Sequence, residues 1–435
     1  MVTDKKDGMK GMTKEHIVIG LDLTDEFSQV AFWETSKAEP ENVSMVMGSQ
    51  QMCIPTVLGK YYGENSWTFG KDALGMEEKN EGFAVSSLVT LAREGTPVEV
   101  ETRDYDPVDL LALYMKKCLG LLALKAPLEK VSKIMITVED PDALMIEILT
   151  KAISILRIKP EKVCFQSHSE SAYYYMLHQA AELWNHQVLI CHLREDGLML
   201  RIMQKNVHTS PIVVLMEEKM IPDFKAEDMG KASPTRKKRK DEAFYKILTD
   251  IMEGKMFSSV YLLGDGFDGE WCDESLKYMC RNRRVFGGNN LFSKGACFGA
   301  AEKMETSAVG MKHVFLGKDK VKANVGMRVM RDGEDVYMVL LDAGKNWYET
   351  TKECDLILDQ KDSVPFIITP LNGKNEKTVS VYLRNCPVRP PRATRVHLEM
   401  KMLSERRLYV CITDLGFGEF YPASGMQWTQ EFVVD

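Results

Sequence analysis

Two charged turns carry the residue types whose chemistry could matter most. Val188 to Met203 (VLICHLREDGLMLRIM) is two apolar runs split by Arg194-Glu195-Asp196-Gly197, the pattern of a β-hairpin in a buried sheet. Ile17 to Trp33 (IVIGLDLTDEFSQVAFW) has the same layout. Laid over it without a gap, Asp22-Leu23-Thr24-Asp25-Glu26-Phe27 falls on His192-Leu193-Arg194-Glu195-Asp196-Gly197. What these turns can hold decides the function. His192 is a titratable imidazole that could act as a general base, although an imidazole beside charged neighbours is more often satisfied by them. His186, Cys191 and His192 are metal-ligand types, but side chains along a strand alternate faces, so the three do not converge. A third stretch, Gly264-Asp265-Gly266-Phe267-Asp268-Gly269, has three glycines in six residues and must turn tightly.

Periodic segments place these turns. A helix starts after Asp106, with Pro107 in its first turn and Leu110, Leu113, Tyr114, Lys117 and Leu121 at helical spacing. Lys133 to Val138 reads as a strand that runs into Glu139-Asp140-Pro141, a cap with proline. The helix after it shows Leu144, Ile148, Leu149, Ala152 and Leu156 on one face. Val163 to Phe165 is a short strand and Glu170 to Trp184 a helix, in which Tyr173-Tyr174-Tyr175 reads as core packing. Val260 to Leu263 is a buried strand, with helices over 243–254, 272–283 and 294–304. Strand, helix, strand, helix in this order predicts an α/β layer on a partly parallel sheet. Two similar hairpins half a domain apart point to a duplicated architecture with a cleft between its halves.

From about residue 310 helical spacing gives way to short alternating runs. Val396, Leu398, Met400 and Met402 alternate with polar residues, as do Leu408, Val410 and Ile412. That is a half-buried antiparallel β-module, with a boundary at 305–325. The full chain has 435 residues, 45% hydrophobic and 27% charged, as expected of a globular protein of two to three domains. A net charge of −7 argues against nucleic acid as a partner, and the run Thr235-Arg236-Lys237-Lys238-Arg239-Lys240 reads as a solvated loop or helix start. No apolar run approaches the roughly 18 residues that span a bilayer, and no export signal opens the chain, so neither membrane nor secretion is expected. Ten scattered cysteines without a Cys-x-x-Cys pair read as reduced thiols of a cytoplasmic protein.

In their shared order, several segments resemble the DnaK-type (seventy-kilodalton class) heat-shock chaperones. Gly20-Leu21-Asp22-Leu23 looks like the start of that family's first phosphate loop. Ile54-Pro55-Thr56-Val57, Phe69-Gly70 and Ile136-Thr137-Val138 are similar to later strand motifs, and Val188 to Met203 sits where the second phosphate loop belongs. Leu263-Gly264-Asp265-Gly266 and Cys297-Phe298-Gly299-Ala300-Ala301 resemble the two parts of the adenosine motif. Asn385-Cys386-Pro387 through Asp414-Leu415-Gly416 resembles the end of the peptide-binding sandwich. The resemblance implies a duplicated actin-like ATPase fold of two α/β lobes followed by an all-β sandwich. On it, residues 1–15 form a disordered tail, 16–187 the first lobe, 188–308 a reduced second lobe and 309–435 the sandwich. It also implies a nucleotide site at Asp22, Leu23, Thr24, Gly264, Asp265, Gly266 and Gly299, with ATP and magnesium as the family's cofactors and Asp22 in the magnesium shell.

The departures fall on the chemistry. The family's first loop continues with glycine and hydroxyl residues, and here it reads Thr24-Asp25-Glu26. The family's second loop is Asp-Leu-Gly-Gly-Gly-Thr, and here the Asp position is His192 and the glycines are Arg194, Glu195 and Asp196. The family's catalytic lysine falls at about Leu74. A Cβ at each former glycine blocks close backbone approach to phosphate. Each carboxylate about 6 Å from a phosphate charge costs roughly 3 kcal/mol at an effective dielectric near 20. Several outweigh the ~8 kcal/mol of micromolar binding. The expectation is therefore a chaperone-like pseudo-ATPase that requires no cofactor and binds protein or peptide partners. An active, atypical ATP-dependent chaperone and an actin-like assembly scaffold are the alternatives.

Overall fold

The computed structural model describes residues 16–45, 52–123, 125, 127–359, 362–371 and 375–434; the tail expected over 1–15 lies outside them. The chain divides into two compact units, Met1–Phe315 and Leu316–Asp435.

Unit 1 is mixed α/β. Its first sheet holds β1 (Ile17–Leu23), β2 (Phe27–Glu34), β3 (Glu41–Val43), β4 (Lys133–Val138) and β5 (Val163–Ser167) in the order β5-β4-β1-β2-β3, with Ile54–Pro55 added beside β2. Its second holds β6 (Gln187–Arg194), β7 (Gly197–Asn206), β8 (Ile212–Ile221), β9 (Phe257–Leu263), β10 (Arg284–Gly287) and β11 (His313–Phe315) in the order β10-β9-β6-β7-β8-β11. Both place an antiparallel hairpin at the centre and parallel strands on one side of it. β1 is an unbroken apolar run because both faces are covered. Ile19, Leu21 and Leu23 face helices α2 (Pro107–Gly120) and α3 (Ala143–Ile155), with α1 (Leu88–Glu94) alongside, while Val18 faces α7 (Leu291–Met304). The second sheet packs α5 (Pro234–Met252) and α6 (Asp273–Met279) on one face and α4 (His168–Leu177) with the start of α7 on the other. Helices α4 and α7 thus lie between the sheets. They come that close because Gly295 has no side chain: a Cβ there would stand 2.0 Å from the Ser171 carbonyl oxygen.

Several elements differ from the sequence expectation. Asp142, not Glu139-Asp140, caps α3, accepting the Met145 N–H at 2.8 Å. Its Leu144 is exposed while Met145 and Ile153 are buried. Helix α4 begins at His168 with Ser167 as its cap, and ends at Leu177, short of Trp184. Helix α5 starts at Pro234 behind Ser233, well before the expected 243, so of the two readings of the basic run the helix start is the one found. Helix α6 ends at Met279.

Unit 2 is all-β among its described residues, apart from one 3-10 turn. Strands β12 (Ala323–Arg331), β13 (Glu334–Leu341), β14 (Thr351–Ile357), β15 (Ser363–Pro370), β16 (Lys377–Tyr382), β17 (Arg395–Met402), β18 (Arg407–Gly416) and β19 (Gln427–Val433) form two antiparallel sheets, ordered β13-β12-β15-β16 and β14-β17-β18-β19. Val396, Leu398, Met400, Leu408, Val410 and Ile412 are buried, as their alternation requires. Arg389 inserts a bidentate pair into this unit, donating to Asp414 at 2.6 and 2.7 Å.

Candidate functional site

A cavity of about 760 Å³ opens in unit 1 where the C-terminal ends of β1, β4, β6 and β9 meet, the position at which α/β folds assemble sites. Parallel neighbours β1, β4 and β5 deliver Asp22, Glu139 and His168 to one row, since Asp22 pairs with Thr137 and Val138 with Ser167. His168 joins the row: Nε2 lies 2.7 Å from Asp22 Oδ1 and Nδ1 2.9 Å from Glu139 Oε2. Its ring is fully buried and stacks on Phe292 at 4.2 Å.

The second sheet answers with cations. Arg194 Nη1 reaches Glu139 at 2.9 Å, and the fully buried Arg201 donates through Nη2 to the other Glu139 oxygen. Arg201 Nε also faces Ser169 Oγ at 3.3 Å and Glu218, its neighbour across the β7–β8 pairing, at 3.4 Å. Burial pushes the Glu139 carboxyl up, but Arg201, His168 and Arg194 outweigh it and hold the group well below the usual carboxylate range. Burial alone would lower His168, and the Asp22 and Glu139 carboxylates reverse that and raise it. A buried, closely paired ion network therefore ties the two sheets together. There is a second tie: the Glu26 carboxylate accepts the Glu195 N–H at 3.1 Å, one charged turn holding the other.

His192 occupies the position that overlays Asp22, and it is different in kind. Its ring lines the cavity, its Nδ1 is enclosed without a hydrogen-bond partner, and burial with Arg201 and His168 drives its pKa well below the usual value. It is a neutral imidazole. His186, Cys191 and His192 are not brought together: Cys191 sits in the core behind β6, and among the described residues no group of three His, Cys, Asp or Glu is placed to hold a metal ion. All ten cysteines are free thiols. No helix among the described residues is long and apolar enough to cross a membrane.

Of the residues singled out from sequence, Asp22, Leu23, Thr24, Gly264, Asp265 and Gly266 line the cavity. Gly299 does not. It lies in α7, where a Cβ would stand 2.4 Å from Gln166 Oε1 and 2.8 Å from the Tyr174 ring. Gly264 and Gly266 also serve packing. A Cβ on Gly264, at φ +98°, would meet the Leu193 carbonyl oxygen at 2.1 Å, and one on Gly266 the Leu193 side chain at 2.7 Å. Asp25 accepts from the Val89 and Thr90 N–H groups at the start of α1. Eleven of the lining residues are Asp or Glu and two are Arg, so the cavity is acidic.

Sequence reasoning passed over Glu139 as a mere helix cap and missed His168, Arg201 and Glu218 altogether. One signal was present: Arg201 is the lone charge in the apolar strand Leu198-Met199-Leu200-Arg201-Ile202-Met203, and a buried charge needs a partner.

No curated protein matches the chain. Residues 320–434 match a domain of unknown function, DUF8552. Residues 39–318, most of unit 1 and more than half of the chain, match the C-terminal part of a family of unknown function, DUF5716, and the chain belongs to that family.

Proposed function

We propose that this protein is a cytoplasmic, chaperone-like pseudo-ATPase: a two-lobed, actin-like shell of the DnaK type that binds protein or peptide partners without efficient ATP hydrolysis. The observation that carries this reading is the Asp22–His168–Glu139–Arg201 network, which stands at the strand ends where the resemblance puts phosphate and magnesium. The matching strand order of the two sheets, and the paired positions of Asp22 and His192 at the same point of their hairpins, support the duplicated, actin-like part of it.

The residues present do not fit a triphosphate. Asp22 is engaged by His168, the first turn gives its carboxylates to α1 and to Glu195, and the glycines at 264 and 266 press on Leu193 instead of leaving their backbone open. The surrounding carboxylates repel phosphate charge through a low-dielectric wall. A role in binding is supported by unit 2, where a groove of about 410 Å³ is lined by Tyr337, Val339, Ile367 and Thr369 with Arg328, Asp342 and Glu376 at its sides. Tyr337 and Val339 are 43% and 45% exposed, unusual for an aromatic and a β-branched side chain side by side.

Calorimetric titration of the full chain with ATP and magnesium tests the first half, and no saturable heat is expected; micromolar binding with phosphate release overturns it. Fluorescence polarisation with labelled apolar peptides tests the second half. Tyr337→Ala is expected to abolish the signal, and an undiminished signal removes the groove from the reading.

A further inference from the structure

We propose that the acidic cavity of unit 1 binds a linear organic polycation, an aliphatic amine with two or more ammonium groups, through two carboxylate pairs and the neutral imidazole of His192; this rests on the reading that no nucleotide sits there. The cavity presents acceptors and almost no free donors. Its two arginines are engaged, Arg93 by Asp142 and Arg194 by Glu139 and Asp196. The Asn289 amide donates to Asp265 at 2.7 Å and accepts the Gly264 N–H at 2.6 Å.

The acceptors remain in excess. The carboxylates of Glu195 and Asp268 have no hydrogen bond or cation among the described residues, and each stands beside a second carboxylate, Glu26 and Asp265 respectively. Burial first, and then these neighbours, push Glu26 and Asp265 above the usual carboxylate range, although Arg194 partly offsets this at Glu26 and the Asn289 amide at Asp265. His192 lines the same wall and adds an acceptor of a different kind, since a neutral ring keeps one nitrogen lone pair. An ammonium group has three donors and no acceptor, the complement of such a wall.

Two carboxylate pairs at separate turns favour a ligand whose charges are spaced over a point charge. A bare divalent cation needs convergent ligands, and no such group of three exists among the described residues. Phe27, Val89, Met145 and Leu193 supply apolar wall for intervening methylenes, and about 760 Å³ is the size of a small-molecule site.

The test is calorimetry on the full chain at about 150 mM salt, where diffuse surface attraction is screened. Spermidine, magnesium chloride and magnesium ATP are titrated separately. Saturable one-to-one binding of spermidine is expected, with no comparable heat from magnesium chloride. The pair Glu195→Gln with Asp268→Asn removes two unpartnered charges, so it leaves the fold intact and is expected to weaken spermidine about tenfold or more. His192→Phe is expected to weaken it without changing the salt dependence. Unchanged affinity in the carboxylate variant, or an equal response to magnesium chloride, overturns the proposal. Silence toward both spermidine and ATP removes this inference alone, whereas ATP binding removes the nucleotide-free reading beneath it.

Discussion

Replacing Glu139 by Gln keeps the shape of the side chain and deletes the charge that Arg194, Arg201 and His168 share. Arg201 is fully buried and would keep only Glu218 as an ionic partner, at 3.4 Å. Removing one member of a buried ion pair typically costs 3–5 kcal/mol, and because the Glu139 side chain is 33% exposed the lower end applies, about 3 kcal/mol. Arg201→Met alone leaves Glu139 with His168 and Arg194 and should cost about 2 kcal/mol. The double variant replaces the central pair with an amide and an apolar chain, so its cost should fall short of the sum by about 2 kcal/mol. A chain of two units is expected to unfold in more than one step, so a single melting point does not measure this. Hydrogen exchange of the β1, β4, β6 and β7 amides against urea does. Costs that add within about 0.5 kcal/mol would show that Glu139 and Arg201 are not coupled, and the ion network would lose its place as the tie between the sheets.

Two histidines should shape the pH profile in opposite directions. His168 is raised in the folded state, so its contribution is full below about pH 6.5 and is lost as pH rises through the folded value. His192 is lowered, so below about pH 6.5 the unfolded chain takes the proton first and stability falls. Each limb can slope by at most ~1.4 kcal/mol per pH unit, giving a maximum near neutrality. His168→Gln should flatten the alkaline limb and His192→Phe the acid one, read from hydrogen exchange of the β1 and β6 amides against pH; limbs that keep their slopes refute the assignment. Gly295→Ala forces a methyl against the Ser171 carbonyl and should destabilise unit 1 by ~1–3 kcal/mol in calorimetry; an unchanged transition would show that α4 and α7 can slide apart freely. Asp414→Asn in unit 2 strands the buried Arg389 guanidinium and should cost about 3–5 kcal/mol by hydrogen exchange of β17 and β18. That stability should also fade in strong acid, because Arg389 and Ser424 hold Asp414 well below the usual carboxylate range.

The hairpins, β4 and the alternating strands of unit 2 were legible because period-2 and unbroken apolar runs are local signals. The start of α5 was not, because the basic run reads equally well as a loop or a helix start until Phe244 and Leu248 give it a core face. Strand β8 was lost because Glu217, Glu218 and Lys219 interrupt its apolar run; Glu218 pairs there with Arg201, a reason that lies on another strand. The glycines misled for the same cause. Gly299 reads as part of a ligand's loop but packs in α7 against Gln166 and Tyr174, and Gly264 and Gly266, which do line the cavity, are also held by the close approach of Leu193; no spacing in the chain displays these contacts.

On the proposed reading, the ion network accounts for how a two-lobed shell stays closed without a ligand between its lobes. A bound triphosphate with its metal would link both hairpin turns through shared charge. Here Glu139 from the first sheet meets Arg194 and Arg201 from the second, and Glu26 meets the backbone of Glu195, so the turns are joined already. A magnesium ion binding Asp22 through Oδ1 would displace His168, leaving a fully buried imidazole with Glu139 alone. A phosphate near Glu195 would add about 3 kcal/mol of repulsion for each charge about 6 Å away. Both penalties grow with the tightness of the closure that the network creates. On that reading the contacts that hold the lobes together also keep nucleotide out, and introducing ATP binding would require removing the network, not merely adding glycines to the turns.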